Sequence, residues 1–268
     1  MTLALRTVVA VVADDSQPPH YEPDIIEFNE SVLAPHGLTF QPEWAGKGRN
    51  VTFLALAERL LRAVPDPLPA PGLLIVAYAL PDPHALERTL SAHLNYALGG
   101  GSMSFAVSEQ GLAAPFTALR IADSYVRSGR CENAALFILE QVTFPYLMPF
   151  AQDTGLVDSG VLLVLGPAGE WELTGAGPLG PAGVPAGPDV LVVAGSWLDL
   201  DPRLTGPKLH RAPPSSYGTS VWLELARHYQ DWAQDYRTLV VCDTDPDTGV
   251  TQAVTLSRTA TGGSHGRP

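Results

Sequence analysis

The chain has 268 residues, 46% of them hydrophobic and 16% charged, enough to bury a large core in one α/β unit or two fused halves. Its formal net charge of −12 argues against nucleic acid or an anionic membrane as a bulk partner. No apolar run approaches the roughly 20 residues that span a bilayer.

Arg6 to Val12 is β-branched and runs into Asp14 and Asp15, without a basic start or a small-residue cleavage site, so it reads as a first strand rather than a targeting segment. Val51 to Val64 places Leu54, Leu56, Leu60, Leu61 and Val64 at near-helical spacing. Gly72 to Tyr78 is a continuous apolar run, as in a strand covered on both faces. Asp82 to Ala97 opens on Asp-Pro and ends at Gly99-Gly100-Gly101, which predicts a helix and a flexible connection. Met103–Val107 then reads as a strand, Leu112–Ser128 as a helix closed by Gly129, and Ala134–Val142 and Val161–Leu165 as strands.

From Gly166 to Gly187 glycine and proline dominate, so a loop around one short strand, Glu170–Leu173, is expected. Val190–Ala194 is the next strand and Ser220–Trp232 the next helix. Thr238–Cys242 and Val250–Leu256 form a hairpin around Asp243, Asp245, Asp247 and Gly249. That turn is not a calcium loop, because Val254 stands where the bidentate glutamate belongs and Pro246 sits among the ligands. Alternating helices and buried strands define an α/β layered fold.

Cys131 and Cys242 read as reduced thiols, which points to the cytoplasm. Asn50 opens a glycosylation sequon that stays silent without secretion. His20, His36, His84, His93 and His228 are scattered without metal-ligand spacing, so neither a metal nor another cofactor is expected.

Three segments carry a resemblance. Leu112-Ala113-Ala114-Pro115, counted back from Ile121-Ala122-Asp123 and Ser128-Gly129, falls where a strand turns into a helix. Val157-Asp158-Ser159-Gly160 precedes an apolar strand, and Tyr217-Gly218-Thr219-Ser220 precedes a helix. In this order they resemble the ketoacyl synthase III branch of the thiolase superfamily over roughly residues 72 to 257. The resemblance implies a thiolase-like layered α-β-α-β-α fold of two similar halves. The halves are residues 1–166 and a shortened 189–257, joined by a Gly/Pro-rich 167–188 and followed by a disordered tail, 258–268.

In that family a cysteine at a helix N-terminus takes the acyl group, and a histidine and an asparagine stabilise developing charge. Carried over, the cysteine position is Leu112, the histidine position falls at Ala194 in Ala194-Gly195-Ser196-Trp197, and the asparagine position falls at Thr219. The resemblance thus implies a fold without its catalytic set. Cys131, at the far end of the helix, cannot serve the same turn. The family pairs the strand corresponding to Met103, Ser104, Phe105, Ala106 and Val107 across a dimer axis, and Phe116, Tyr146, Leu147, Met148 and Phe150 become tunnel-lining candidates.

The leading expectation is a non-catalytic subunit that heterodimerises with an active ketosynthase-like subunit and shapes its acyl tunnel in polyketide or fatty-acyl natural-product biosynthesis. Acyl carrier protein or acyl-CoA would be met through the complex. The alternative is an active acyltransferase or thioester hydrolase with a rearranged site using Ser108, Glu109 or His210. A third reading is a stand-alone acyl-binding module.

Overall fold

The computed structural model describes residues 2–18, 21–65, 68–80, 82, 84, 89–147, 155–185, 187–198 and 208–259. The first five strands are β1 (Ala4–Val12), β2 (Leu73–Tyr78), β3 (Met103–Val107), β4 (Ala134–Glu140) and β5 (Ser159–Gly166). The next five are β6 (Trp171–Pro178), β7 (Val190–Ala194), β8 (Lys208–Arg211), β9 (Thr238–Thr244) and β10 (Thr251–Arg258). Their hydrogen-bonded order, β3-β2-β4-β5-β1-β6-β10-β9-β7-β8, is one five-strand pattern used twice. In the first half β2 runs parallel to β3 and β4, and β5 is antiparallel to β4 and β1. In the second half β7 is parallel to β8 and β9, and β10 is antiparallel to β9 and β6. The halves join where Ala4 and Leu5 of β1 meet Glu172 and Trp171 of β6.

The sequence explains the layering. β2, β4, β5 and β7 are apolar at nearly every position because both faces are covered. One face of the sheet meets the helices α5 (Ala113–Arg127) and α6 (Ser220–Asp235), each lying between the third and fourth strands of its half. α5 packs on β2 of its own half and on β6 and β10 of the other. α6 packs on β7 and β9 and crosses to β1 and β5. Phe116 and Trp222 seal the contact between the two helices, their rings 5.1 Å apart.

The alternate residues Leu74, Val76, Phe137 and Leu162 turn to a separate cluster with α3 (Phe53–Ala63) and α4 (Leu90–Ala97). α3 is capped by Thr52, whose hydroxyl accepts the Ala55 N–H at 3.1 Å. On the corresponding face of the second half, Val190, Val192, Ala194, Val240 and Cys242 are covered by Leu198 and Val184 from connecting segments. Among the described residues no helix lies there. Among the described residues the second half is short in helix but complete in strands.

Several boundaries differ from the sequence reading. The short strand expected at Glu170–Leu173 is β6, which continues through Gly175 and Gly177 to Pro178 because β10 pairs with it along that length. Lys208–Arg211, to which no element was assigned from sequence, forms the edge strand β8. Two helices were not expected, α1 (Pro23–Leu33) and the short α2 (Pro42–Ala45). Cys131 and Cys242 are both buried, and the tail from 260 onward lies outside the described residues.

Candidate functional site

β3 ends at Val107 and the chain reverses through residues 108–112 to enter α5. The reversal places Glu109 at φ +60° and Gly111 at φ +50°, the left-handed region that glycine tolerates best. A side chain at Gly111 would put its Cβ 2.2 Å from an Asp245 carboxylate oxygen.

Leu112, at the end of this turn, is buried against Leu80 and Tyr217, with Phe144, Leu156 and Trp197 packed around them. The rings of Trp197 and Tyr217 meet edge to face at 5.6 Å. The fold therefore gathers the segments of Leu112, Trp197 and Tyr217, and apolar side chains fill the space between them. Ala194 is not the residue that arrives. It ends β7 with its side chain in the cluster of Val192 and Cys242 on the opposite face, and Trp197, three positions later, reaches Leu112. Thr219 is fully buried as the N-cap of α6, its hydroxyl 2.7 Å from that of Ser159.

Neither central helix is capped by the side chain of its own N-cap residue, Leu112 for α5 and Thr219 for α6. Each instead receives a carboxylate from the other half. Glu140, the last residue of β4, accepts the Tyr217 N–H at 2.9 Å on both oxygens and the Thr219 N–H at 3.1 Å, at the start of α6. Asp245, just past the end of β9, accepts the Leu112 N–H at 2.9 Å at the start of α5 and the Tyr217 hydroxyl at 3.3 Å. Helix N-termini attract negative charge, and both carboxylates use that field.

Their proton affinities diverge. Burial pushes Glu140 up to about 7, against the pull of the Tyr217, Thr219 and Gly218 N–H groups. Burial also raises Asp245, but the Thr248 and Leu112 N–H groups and the Thr248 hydroxyl outweigh it and hold the carboxyl below the usual range. Nearby Asp243 is pushed up to about 7 by burial, while accepting the Thr244 N–H at 2.9 Å and the Ser220 hydroxyl at 3.3 Å. It fills the space above Gly195, where a Cβ would stand 1.7 Å from its carboxylate oxygen.

These shifts have a sign. Glu140 moves from 4.5 in the unfolded chain to about 7 in the folded one, so folding binds its proton more tightly. Stability is then greatest below 4.5 and falls as pH rises towards 7, by on the order of 3 kcal/mol if the shift is fully expressed. Asp243 acts in the same direction, whereas His84, lowered by burial, opposes it near 6.5. The difference between wild type and Glu140→Gln isolates Glu140. Chemical denaturation at pH 5 and pH 8 is expected to show a shallower fall in the variant, and parallel curves would mean that Glu140 stays ionised.

The alternative candidates stand at two places. Ser108 is half-buried and Glu109 exposed at the turn. His210 stands on β8 with Nε2 2.6 Å from Glu224 Oε2, its ring against His228 and Trp232. No hydrogen bond joins it to Ser108 or Glu109 among the described residues.

The tunnel-lining candidates separate as well. Phe116 is buried in the helix–helix contact, and Tyr146 packs on Leu33, Phe40 and Ala45 near α1 and α2. Leu147 is 42% exposed, its N–H donating to the Gln41 amide oxygen at 3.3 Å. Met148 and Phe150 lie outside the described residues.

The interface candidates are all on β3, an outer strand of the order. Met103 is 53% exposed and Ala106 is exposed, while Phe105 and Val107 turn towards the core. Sequence reasoning missed Glu140, Asp243 and Asp245 as structural carboxylates. It also missed the meeting of His210, Glu224 and His228, whose one local signal is the four-residue spacing of Glu224 and His228 on a helix.

Two repeated βαβ-rich halves, with their central helices packed together and helix N-termini facing a common site, are the thiolase-like fold of condensing enzymes. 3-Oxoacyl-(acyl carrier protein) synthase III, FabH, from Pseudomonas aeruginosa is similar at a TM-score of 0.60 and 12% identity, with 96% of this chain and 98% of that chain covered. OleA from Xanthomonas campestris, in the structure with bound lauric acid and lauroyl-CoA, is similar at 0.59 and 11% identity, covering 97% and 99%. The cerulenin-bound OleA structure gives 0.61 at 11% identity over the same shares. No protein-family model and no curated protein sequence matches the chain.

Proposed function

We propose that this chain is a non-catalytic, ketosynthase-like subunit that pairs with an active condensing enzyme through β3 and helps to shape that enzyme's acyl tunnel. The observation that carries this reading is the state of the α5 N-terminus. Leu112 offers no nucleophile, its side chain is sealed under Leu80, Tyr217 and Trp197, and its N–H is bound to Asp245. An N–H at that position would stabilise an acyl oxyanion only if it were free, and a carboxylate beside it repels developing negative charge. The fold is kept while the chemistry is closed off.

A polyketide or fatty-acyl pathway in the cytoplasm suits such a subunit, with acyl carrier protein or acyl-CoA met through the complex. The OleA structure solved with lauric acid and lauroyl-CoA shows that this fold accommodates such chains there. No helix among the described residues is long and apolar enough to cross a membrane.

Co-expression with a condensing enzyme encoded beside it, followed by size-exclusion chromatography with mass determination, tests the proposal. The expected result is a one-to-one complex whose activity disappears when this chain is omitted. A homodimer that turns over acyl thioesters, or an acyl adduct on this chain alone, overturns it.

A further inference from the structure

Glu224 and His228 stand one turn apart on the same face of α6. β8 then brings His210 over them. The two imidazole nitrogens and the carboxylate oxygen all lie within 4.8 Å of one another. His210 Nε2 is 2.6 Å and His228 Nε2 3.7 Å from the same oxygen, Oε2 of Glu224. We propose that His210, Glu224 and His228 form a binding site for one divalent transition-metal ion of the zinc class, clamping edge strand β8 to α6. The site shares no residue with the apolar cluster around Leu112 and goes beyond the partner-subunit reading.

The chemistry of the donor set selects the ion. Two imidazoles and one carboxylate suit zinc and its neighbours, whereas calcium and magnesium take oxygen donors. Ligands bound at about 2.0–2.1 Å in tetrahedral geometry stand roughly 3.3 Å apart, between the 2.6 and 3.7 Å that separate the two imidazoles from the carboxylate oxygen. The ion would take the place of the hydrogen bond between His210 and Glu224, each imidazole binding through a ring-nitrogen lone pair.

The surroundings fit the same role. Arg227 donates to the other Glu224 oxygen, Oε1, and so aims Oε2 at the two histidines. Trp232 walls the site with its ring 5.1 Å from that of His210 and 5.2 Å from that of His228, restricting both rotamers. The carboxylate side chain is only 6% exposed, while the histidines are 31% and 40% exposed. The charge that attracts the cation is therefore buried, and the fourth position opens to water.

The test uses the full chain stripped with a chelator and titrated with zinc by calorimetry, with bound metal counted by elemental analysis. Cobalt substitution reads the coordination by its visible absorption. One equivalent is expected, with a tetrahedral cobalt spectrum and a melting temperature that rises with zinc. His210→Asn and His228→Asn should each lose binding by more than the roughly 10–100-fold typical of removing a supporting group, and Arg227→Gln by about that amount. His228 is partly exposed, so its variant is expected to fold, and circular dichroism verifies this. Zinc binding that is unchanged in both histidine variants, or no binding by wild type at roughly 100 μM metal, which is far weaker than protein zinc sites, would reduce the cluster to a hydrogen-bonded His–Glu pair.

Discussion

Replacing Ala106 with proline is expected to abolish association with the partner subunit while leaving this chain folded. The Met103 N–H donates to the Gly72 carbonyl at 3.1 Å, on the β2 side of β3. Backbone groups alternate along a strand, so the N–H groups of Ser104 and Ala106 point away from β2, to the open edge. Among the described residues no strand pairs with that edge, and its row of donors and acceptors is what a second strand would recognise.

Proline at position 106 removes one outward donor and places its ring in the path of a partner strand. The ladder within this chain does not use that donor, and edge positions tolerate proline. A loss of at least roughly 100-fold in affinity is expected, since a central pairing bond and its neighbours go together. Light scattering on the co-purified complex reads the association, and circular dichroism on the isolated chain reads the fold. A variant that still elutes as the one-to-one complex would move the interface away from β3.

The strands that could be placed from sequence are those whose burial leaves a signature in a single segment. β2 and β7 lie where their apolar runs put them, because a strand covered on both faces must be apolar throughout. β8 could not be read that way. Lys208-Leu-His-Arg211 is a charged four-residue edge strand between segments rich in proline, and parallel pairing with β7 makes it a strand. β6 failed for the opposite reason, since Gly175 and Gly177 signal a loop until β10 supplies the ladder.

The site divides similarly. Leu112 and the Tyr217–Ser220 turn sit at helix starts, a position that one segment of sequence signals. Ala194 was three residues short of Trp197, since the chain leaves β7 by a turn whose path the sequence does not specify. Glu140 and Asp245 were invisible because their partners lie 77 and 133 positions away along the chain. Only the pseudo-twofold exchange between halves makes a strand-end carboxylate the cap of the opposite helix.

That exchange supports the second large effect. Asp245→Ala is expected to destabilise the chain by about 3 kcal/mol, the size expected when a buried charged acceptor is removed and its donors stay buried. Oδ1 accepts the Asp247 N–H at 3.1 Å and the Thr248 N–H at 2.9 Å, pinning the β9–β10 hairpin. Oδ2 accepts the Leu112 N–H and the Tyr217 hydroxyl, tying that hairpin to the start of α5. For a chain of this length the melting temperature should fall by roughly 6–12 °C. Asp245→Asn keeps an acceptor but loses the charge, so a smaller fall is expected. Trp197 fluorescence provides a local reading, because its ring packs on Tyr217 beside the lost bond. If Asp245→Ala melts within about a degree of wild type, the carboxylate is not what holds the turn. For the non-catalytic subunit proposed above, the same bond bears on chemistry as well: an N–H committed to holding two halves together is not free to stabilise an oxyanion.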